Sequence, residues 1–116
     1  MTDRELIAAA AKAAGYDVRW HEPWDCFVHN GPFNIDNPPT LAGQRMVWLP
    51  LTDDGDALRL AVKLHLCVKV YTDAVIVGND HTVNGKEMVH ETKGDPAAAT
   101  RRAITRAAAE LVKATP

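Results

Sequence analysis

The sequence predicts an α+β sandwich in which three helices pack on a mainly antiparallel sheet of four to five strands. Three apolar or alanine-rich stretches have helical periodicity. Short runs between them alternate polar and apolar residues or are apolar throughout, as β-strands are. The predicted order is α-ββ-α-βββ-α. It forms one domain over residues 1–116, because a single domain usually has about 100–200 residues.

The first predicted helix covers residues 3–14. Thr2 or Asp3 can cap its N-terminus, and Glu5 in the first turn suits the positive end of the helix dipole. Gly15 is expected to end it, since glycine adopts the left-handed conformation at little cost. Its buried stripe, which has the spacing of one helical face, consists of Leu6, Ile7, Ala10 and Ala14.

Two extended segments follow, at residues 18–20 and 26–29. Pro23 keeps the residues between them from forming an α-helix, so a hairpin is the simplest interpretation. Residues 30–45 are dense in glycine, proline and asparagine, which is typical of an irregular surface loop. Long loops of this kind often carry function, so this loop belongs to the candidate interaction surface.

The second predicted helix covers residues 54–64. Asp53 suits its N-cap, and Asp56 three residues later imitates a capping box. The helix is apolar around most of its circumference, and its polar edge is formed by Arg59 and Lys63. We therefore expect it to be buried on more than one side.

The remaining strands are predicted to form a β-meander. Residues 66–71 alternate with period two, residues 74–77 are apolar throughout, and Asn84-Gly85 is a favoured tight hairpin turn. The last helix is predicted over residues 96–113, with Asp95 as its cap and Pro96 at its first position. Its inward-facing residues are predicted to be Ala97, Thr100, Ile104, Ala107, Ala108 and Leu111.

Composition excludes several classes of function. Hydrophobic residues make up 47% and charged residues 24% of the chain, an ordinary globular balance. No apolar run reaches the roughly 18–20 residues of a membrane span, and residues 1–5 lack the basic start of a secretory signal. Serine is absent, which excludes serine nucleophiles, and two cysteines are too few for a disulfide framework. We expect a cytoplasmic domain without membrane association, cofactor or catalytic activity.

Four residues have the chemistry of a zinc site: Cys26, His29, His65 and Cys67. Strand geometry opposes this site, because residues three apart on a strand point to opposite faces. Burial of the thiols as small apolar groups is therefore favoured over metal binding.

Aromatic residues beside the loop at 30–45 form a candidate protein-binding surface. Its members are Trp20, Trp24, Phe33 and Trp48. The competing interpretation is that the tryptophans are partly buried anchors of the core.

Basic residues on one flank of the last helix form a candidate nucleic-acid interface. They are Arg101, Arg102, Arg106 and Lys113. The charge is uneven along the chain: residues 1–58 carry four Lys/Arg against nine Asp/Glu, and residues 59–116 carry nine against six. The pI of about 6.2 and the preference of cations for helix C-termini both favour an ordinary solvated helix face instead.

Three stretches together resemble the phage alpha-beta-alpha sandwich domain, a family of small proteins of tailed phages and prophages. They are residues 48–60, residues 95–104 and Ala14-Gly15-Tyr16. The resemblance covers most of the chain in order, except residues 30–45 and 79–92. It implies helices on both faces of the sheet and a phage or prophage origin, and it implies no activity.

The sequence therefore predicts a phage-derived accessory protein of the host cytoplasm, acting as a non-catalytic protein-interaction or self-assembling module. Its partner would be a host or phage protein, and a homodimer is expected if an exposed strand edge or the apolar second helix pairs with a second copy. Nucleic-acid association through the last helix is the alternative.

Overall fold

A computed structural model describes residues 2–30, 47–79, 88–91 and 94–114 of the chain. Three helices and six strands are present in these residues, with a short 3-10 turn at Glu22–Trp24. The predicted α+β class, three helices and antiparallel pairing are confirmed. In chain order the elements are α1 Asp3–Ala14, β1 Val18–His21, β2 Cys26–His29, β3 Val47–Trp48, α2 Asp54–Lys63, β4 Leu66–Val70, β5 Ala74–Asn79, β6 Met88–Glu91 and α3 Pro96–Ala114.

The described strands form two three-stranded antiparallel sheets rather than one sheet of four or five strands. The first sheet has the order β1-β2-β3 and the second β4-β5-β6. Strand β3 has two residues, Val47 and Trp48, and pairs with Phe27 and Val28 of β2. A strand this short has no readable periodicity, which is why the sequence did not predict it.

Local capping sets the ends of the helices. The Glu5 N–H donates to Thr2 Oγ1, so Thr2 is the cap of α1, and Gly15 ends that helix with a φ of 75°. The Asp56 N–H donates to Asp53 Oδ2 at the start of α2. At α3, Asp95 Oδ1 accepts hydrogen bonds from the first free backbone N–H groups of the helix. The three predicted helix starts are confirmed.

Helix α3 lies at the centre of the molecule and packs against α1, α2 and every strand of the second sheet. Its alanines let these neighbours approach closely, as do those of α1. The prediction for α2 is wrong: Leu58 is 62% and Val62 is 66% exposed, so α2 is buried on one side only. Within the cluster of buried residues that these helices share with the sheets, the most buried are Ala10, Ala11, Trp48, Ala57, Leu60, Val75, Val77, Ala103 and Ala108.

In the second sheet the two faces differ. Val75 and Val77 of β5 are fully buried in the core, whereas Cys67 and Lys69 of β4 lie on the opposite face and are exposed. Among the described residues, helices thus cover one face of this sheet, where the resemblance implied both.

Two predicted features lie outside the described residues. One is the loop at 30–45 beyond Asn30, and the other is the Asn84-Gly85 turn. Asn30 itself is fixed to Asp17, through its backbone N–H to the Asp17 carbonyl oxygen at 2.8 Å and its side-chain Nδ2 to Asp17 Oδ1 at 3.0 Å.

Candidate functional site

A cleft of about 230 Å³ lies between α1, the first sheet and the turn that precedes α2. Its walls are mainly apolar and aromatic, with a few polar groups. The lining residues are Asp3, Arg4, Ile7, Trp20, Asp25, Cys26, Phe27, Trp48, Leu49, Leu51 and Thr52.

Trp20 forms one wall of this cleft, here called the Trp20 cleft. Its ring meets Phe27 edge to face, with ring centroids 5.1 Å apart. The guanidinium carbon of Arg4 lies 4.2 Å from the centroid of the Trp20 ring, within cation–π distance. The indole Nε1–H of Trp20 is buried and has no hydrogen-bond partner within the part of the chain that the structure describes. Such an unsatisfied donor costs roughly 1–3 kcal/mol, so an acceptor brought by a ligand would be favoured.

Trp48 also lines the cleft, in the same cross-strand row as Trp20 and Phe27, and its ring is fixed by its neighbours. It is 2% exposed and pairs with Phe27 across β2 and β3. Its ring contacts Tyr16 edge to face at 5.5 Å and His29 at 6.3 Å between centroids. Because these neighbours fix the ring, the wall is formed before any ligand arrives.

Trp24 lies in the 3-10 turn directly before Asp25, a lining residue, and is 45% exposed. Its ring stacks edge to face on His21 at 4.6 Å. Of the four residues predicted to form a protein-binding surface, the structure brings Trp20 and Trp48 together and exposes Trp24. Phe33 lies outside the described residues.

The charged lining groups of the cleft have distinct surroundings. Asp3 accepts two hydrogen bonds from the guanidinium of Arg102, each 3.1 Å long, so its charge is compensated. Burial raises the pKa of the Cys26 thiol, and the nearby Asp25 carboxylate raises it further. Cys26 is therefore a protonated wall residue rather than an activated nucleophile. The lining suits binding of an apolar group.

A second polar cluster, which the sequence did not predict, adjoins Trp48. Asp56 is 3% exposed; its Oδ2 accepts from the Leu49 N–H at 2.8 Å, and its Oδ1 accepts from Arg59 Nη2 at 2.7 Å. The predicted cap by Asp53 is confirmed, because the Asp56 N–H donates to Asp53 Oδ2, and the Asp56 carboxylate in addition turns inward and fixes the segment after β3.

Two titratable rings lie beside this carboxylate. Burial lowers the pKa of His29, and the negative charge of Asp56 partly opposes that shift. Burial also raises the pKa of Tyr16, with Arg59 lowering it and Asp56 raising it. The rings of Tyr16 and His29 meet edge to face at 5.6 Å. No local sequence signal could have predicted this cluster, since its members come from four separate segments.

The candidate zinc ligands are divided between the two sheets. Cys26 and His29 lie on β2 of the first sheet, whereas Cys67 lies on β4 and His65 in the turn before it. Cys26 is buried and Cys67 is exposed. In the described part of the chain, no three His, Cys, Asp or Glu side chains are grouped to hold a metal ion.

The candidate nucleic-acid flank is largely engaged in contacts within the protein. Arg101 bonds to Leu51 and Asp54, and Arg102 to Asp3. Arg106 is exposed, and the side chain of Lys113 lies outside the described residues. Two of the four cations therefore join helices rather than face solvent alone.

No helix within the described residues is both long enough and apolar enough to cross a membrane.

Comparison of the chain with protein-family models, with curated proteins and with solved structures finds no match.

Proposed function

We propose that this chain is a phage- or prophage-encoded accessory protein that acts as a non-catalytic protein-interaction module in the host cytoplasm. The Trp20 cleft is its recognition site, and the ligand is an apolar side chain of a host or phage protein. The phage origin rests on the sequence resemblance of residues 48–60 and 95–104.

One observation carries the proposal: Trp20 and Trp48, from strands on either side of β2, form walls of one cleft. Aromatic walls with few polar groups are typical of the pockets that take anchor residues at protein interfaces. The exposed Trp24 beside the lining residue Asp25 adds apolar surface that a protein partner would cover.

The alternative function, nucleic-acid association, has weaker support. Asp54 and Asp3 already compensate the charges of Arg101 and Arg102. A phosphate would have to compete with these carboxylates, which leaves Arg106 as the exposed described cation of the predicted flank.

Selection of random-peptide libraries on the purified protein, one displayed with free N-termini and one with free C-termini, tests the proposal. Thr52 is exposed and lines the cleft, so a Thr52→Trp variant fills the cleft without disturbing the core. Lys12→Trp, at an exposed site on α1, is the matched control. We expect enriched peptides to share an apolar anchor and to bind Thr52→Trp about tenfold or more weakly, a loss of about 1.4 kcal/mol.

The Lys12→Trp control shows whether weaker peptide binding by Thr52→Trp results from filling the cleft. Peptides should bind Lys12→Trp and the wild type equally. Failure to enrich any peptide, or enrichment of peptides that Thr52→Trp binds as well as the wild type does, would show that the Trp20 cleft is not the recognition site.

A further inference from the structure

The Trp20 cleft is lined by two residues, Trp20 and Arg4, with hydrogen-bond donors that have no acceptor among the described residues. The first is the buried Nε1–H of Trp20. The second is the Arg4 guanidinium, which contacts the Trp20 ring and pairs with no carboxylate among the described residues. Arg4 also lies in the first turn of α1, where the helix dipole favours an anion.

The carboxylates in the lining do not cancel these donors. Asp3 is neutralised by its two hydrogen bonds from Arg102. Asp25 ends the 3-10 turn and is exposed, so water and salt weaken its charge, which still raises the pKa of the adjacent Cys26 thiol. The lining of the cleft is thus mainly apolar, and the donors without a described acceptor belong to Arg4 and Trp20.

The size of the cleft limits what it can hold. Its volume of about 230 Å³ is below the roughly 300–1,000 Å³ of sites for drug-sized ligands. A single residue fits this space better than an extended peptide segment.

From these observations, and on the basis of the proposed function, we infer that the cleft binds the C-terminal residue of a partner protein. An apolar terminal side chain packs against the lining that includes Phe27 and Trp48, and the terminal α-carboxylate is held by Arg4 and the Trp20 Nε1–H. The exposed Arg4 side chain rotates off the indole to admit the carboxylate, because its torsions are free at the surface. A carboxylate is favoured over a neutral carbonyl because a guanidinium binds it with two parallel hydrogen bonds.

Matched small probes test the carboxylate. N-acetyl-L-phenylalanine and N-acetyl-L-phenylalaninamide have the same side chain, but the acid has the α-carboxylate and the amide does not. The three tryptophans of the chain give three indole N–H signals in a ¹H–¹⁵N spectrum of the full chain. We expect the acid to shift the Trp20 signal, with the exposed Trp24 as the internal reference, and to bind about tenfold more tightly than the amide.

Variants test whether Arg4 and Trp20 cause the preference for the acid over the amide. Arg4→Gln should remove the preference for the acid, so that the acid and the amide bind this variant with about equal affinity. Arg106→Gln, which removes an exposed arginine outside the cleft, should keep the preference. Trp20→Phe should weaken binding of the acid more than that of the amide, since a smaller aromatic ring remains for both probes and the N–H is lost.

The outcomes separate this inference from the proposed function. Equal affinity for acid and amide would overturn the C-terminal assignment and leave an apolar protein anchor in place. A short peptide that ends in phenylalanine should bind at least as well as the acid probe; its exclusion would indicate a small carboxylic acid as the ligand and overturn the inference. An unmoved Trp20 signal with every probe would also overturn it, while the peptide-library selection judges the proposed function separately.

Discussion

Arg101 and Asp54 join the last helix to the start of the second, although 47 residues separate them in the chain. Arg101 Nη1 donates to Asp54 Oδ1 at 2.6 Å, and its Nε–H donates to the Leu51 carbonyl oxygen at 2.9 Å. The neighbouring Arg102 makes the corresponding contact with Asp3 in the first turn of α1. Two adjacent arginines thus hold the N-terminal turns of α1 and α2 against α3.

Replacement of Arg101 by methionine is expected to lower the free energy of unfolding by about 1–3 kcal/mol, because a part-buried carbonyl loses its charged donor. The Arg101 side chain is only 17% exposed, so water replaces the lost contact poorly. Urea unfolding measures the change. Arg106→Met, at an exposed site, should stay within about 0.5 kcal/mol of the wild type. Equal losses in the two variants would contradict the role given to Arg101.

Asp56→Ala should destabilise the fold by about 1.5–3 kcal/mol, since the Leu49 N–H loses a charged acceptor. Glu22→Ala, at an exposed position, should change stability by less than about 0.5 kcal/mol. Urea unfolding followed by tryptophan fluorescence serves as the measurement, because Trp48 lies beside this cluster. A loss in Asp56→Ala no larger than that in Glu22→Ala would show that the inward carboxylate does not fix the segment after β3.

The stability of the protein should fall as the pH drops below about 6.5, the ordinary pKa of histidine. Burial lowers the pKa of His29 in the folded state, so in this range the unfolded chain binds more protons than the folded one. Stability therefore rises with pH through this window. Above it His29 is neutral in both states and no longer lowers the free energy of unfolding. Urea unfolding at several pH values from 7.5 to 5 should give a shallower dependence for His29→Gln. If the free energy of unfolding depends on pH equally in the wild type and in His29→Gln, the titration of His29 does not cause the dependence.

The two thiols should differ in reactivity. Cys67 is exposed, whereas Cys26 is buried and burial raises the pKa of its thiol, so less of the nucleophilic thiolate is present. A colorimetric disulfide reagent at pH 8 should modify one thiol quickly and one slowly. Cys67→Ala should abolish the fast phase and Cys26→Ala the slow one. N-acetyl-L-phenylalanine should slow modification of Cys26 further if it occupies the cleft, and two equally fast thiols would contradict the burial of Cys26.

The helices could be predicted well because the contacts that set their ends join residues that are close in sequence. Thr2, Asp53 and Asp95 each cap a helix through backbone N–H groups within the next three residues, and Gly15 ends α1. Such contacts depend on local chain geometry alone. The predicted start of each helix follows from these caps. The hairpin of β1 and β2 was predicted from another local signal, the proline at position 23 in its short connection.

The candidate site could be predicted only as a set of residues. The tryptophans were identified by type and by their nearness to a proline-rich loop, and no local pattern showed that Trp20 and Trp48 share a cleft. That juxtaposition depends on the pairing of β2 with β3, a two-residue strand after an intervening segment. The contact of Asp56 with Leu49 could not be predicted for a related reason: its carboxylate accepts from a backbone N–H that lies in the segment after β3.

The sequence by itself determined where helices begin and end, the antiparallel character of the strands and the absence of serine chemistry. The tertiary structure alone decided that α3 rather than α2 is the central helix, that the strands divide into two sheets, and that Arg4, Trp20 and Trp48 meet at one cleft. The physical reason is the range of the interactions. Caps and turns act within a few residues, whereas burial depends on how side-chain volumes from distant segments fill one core.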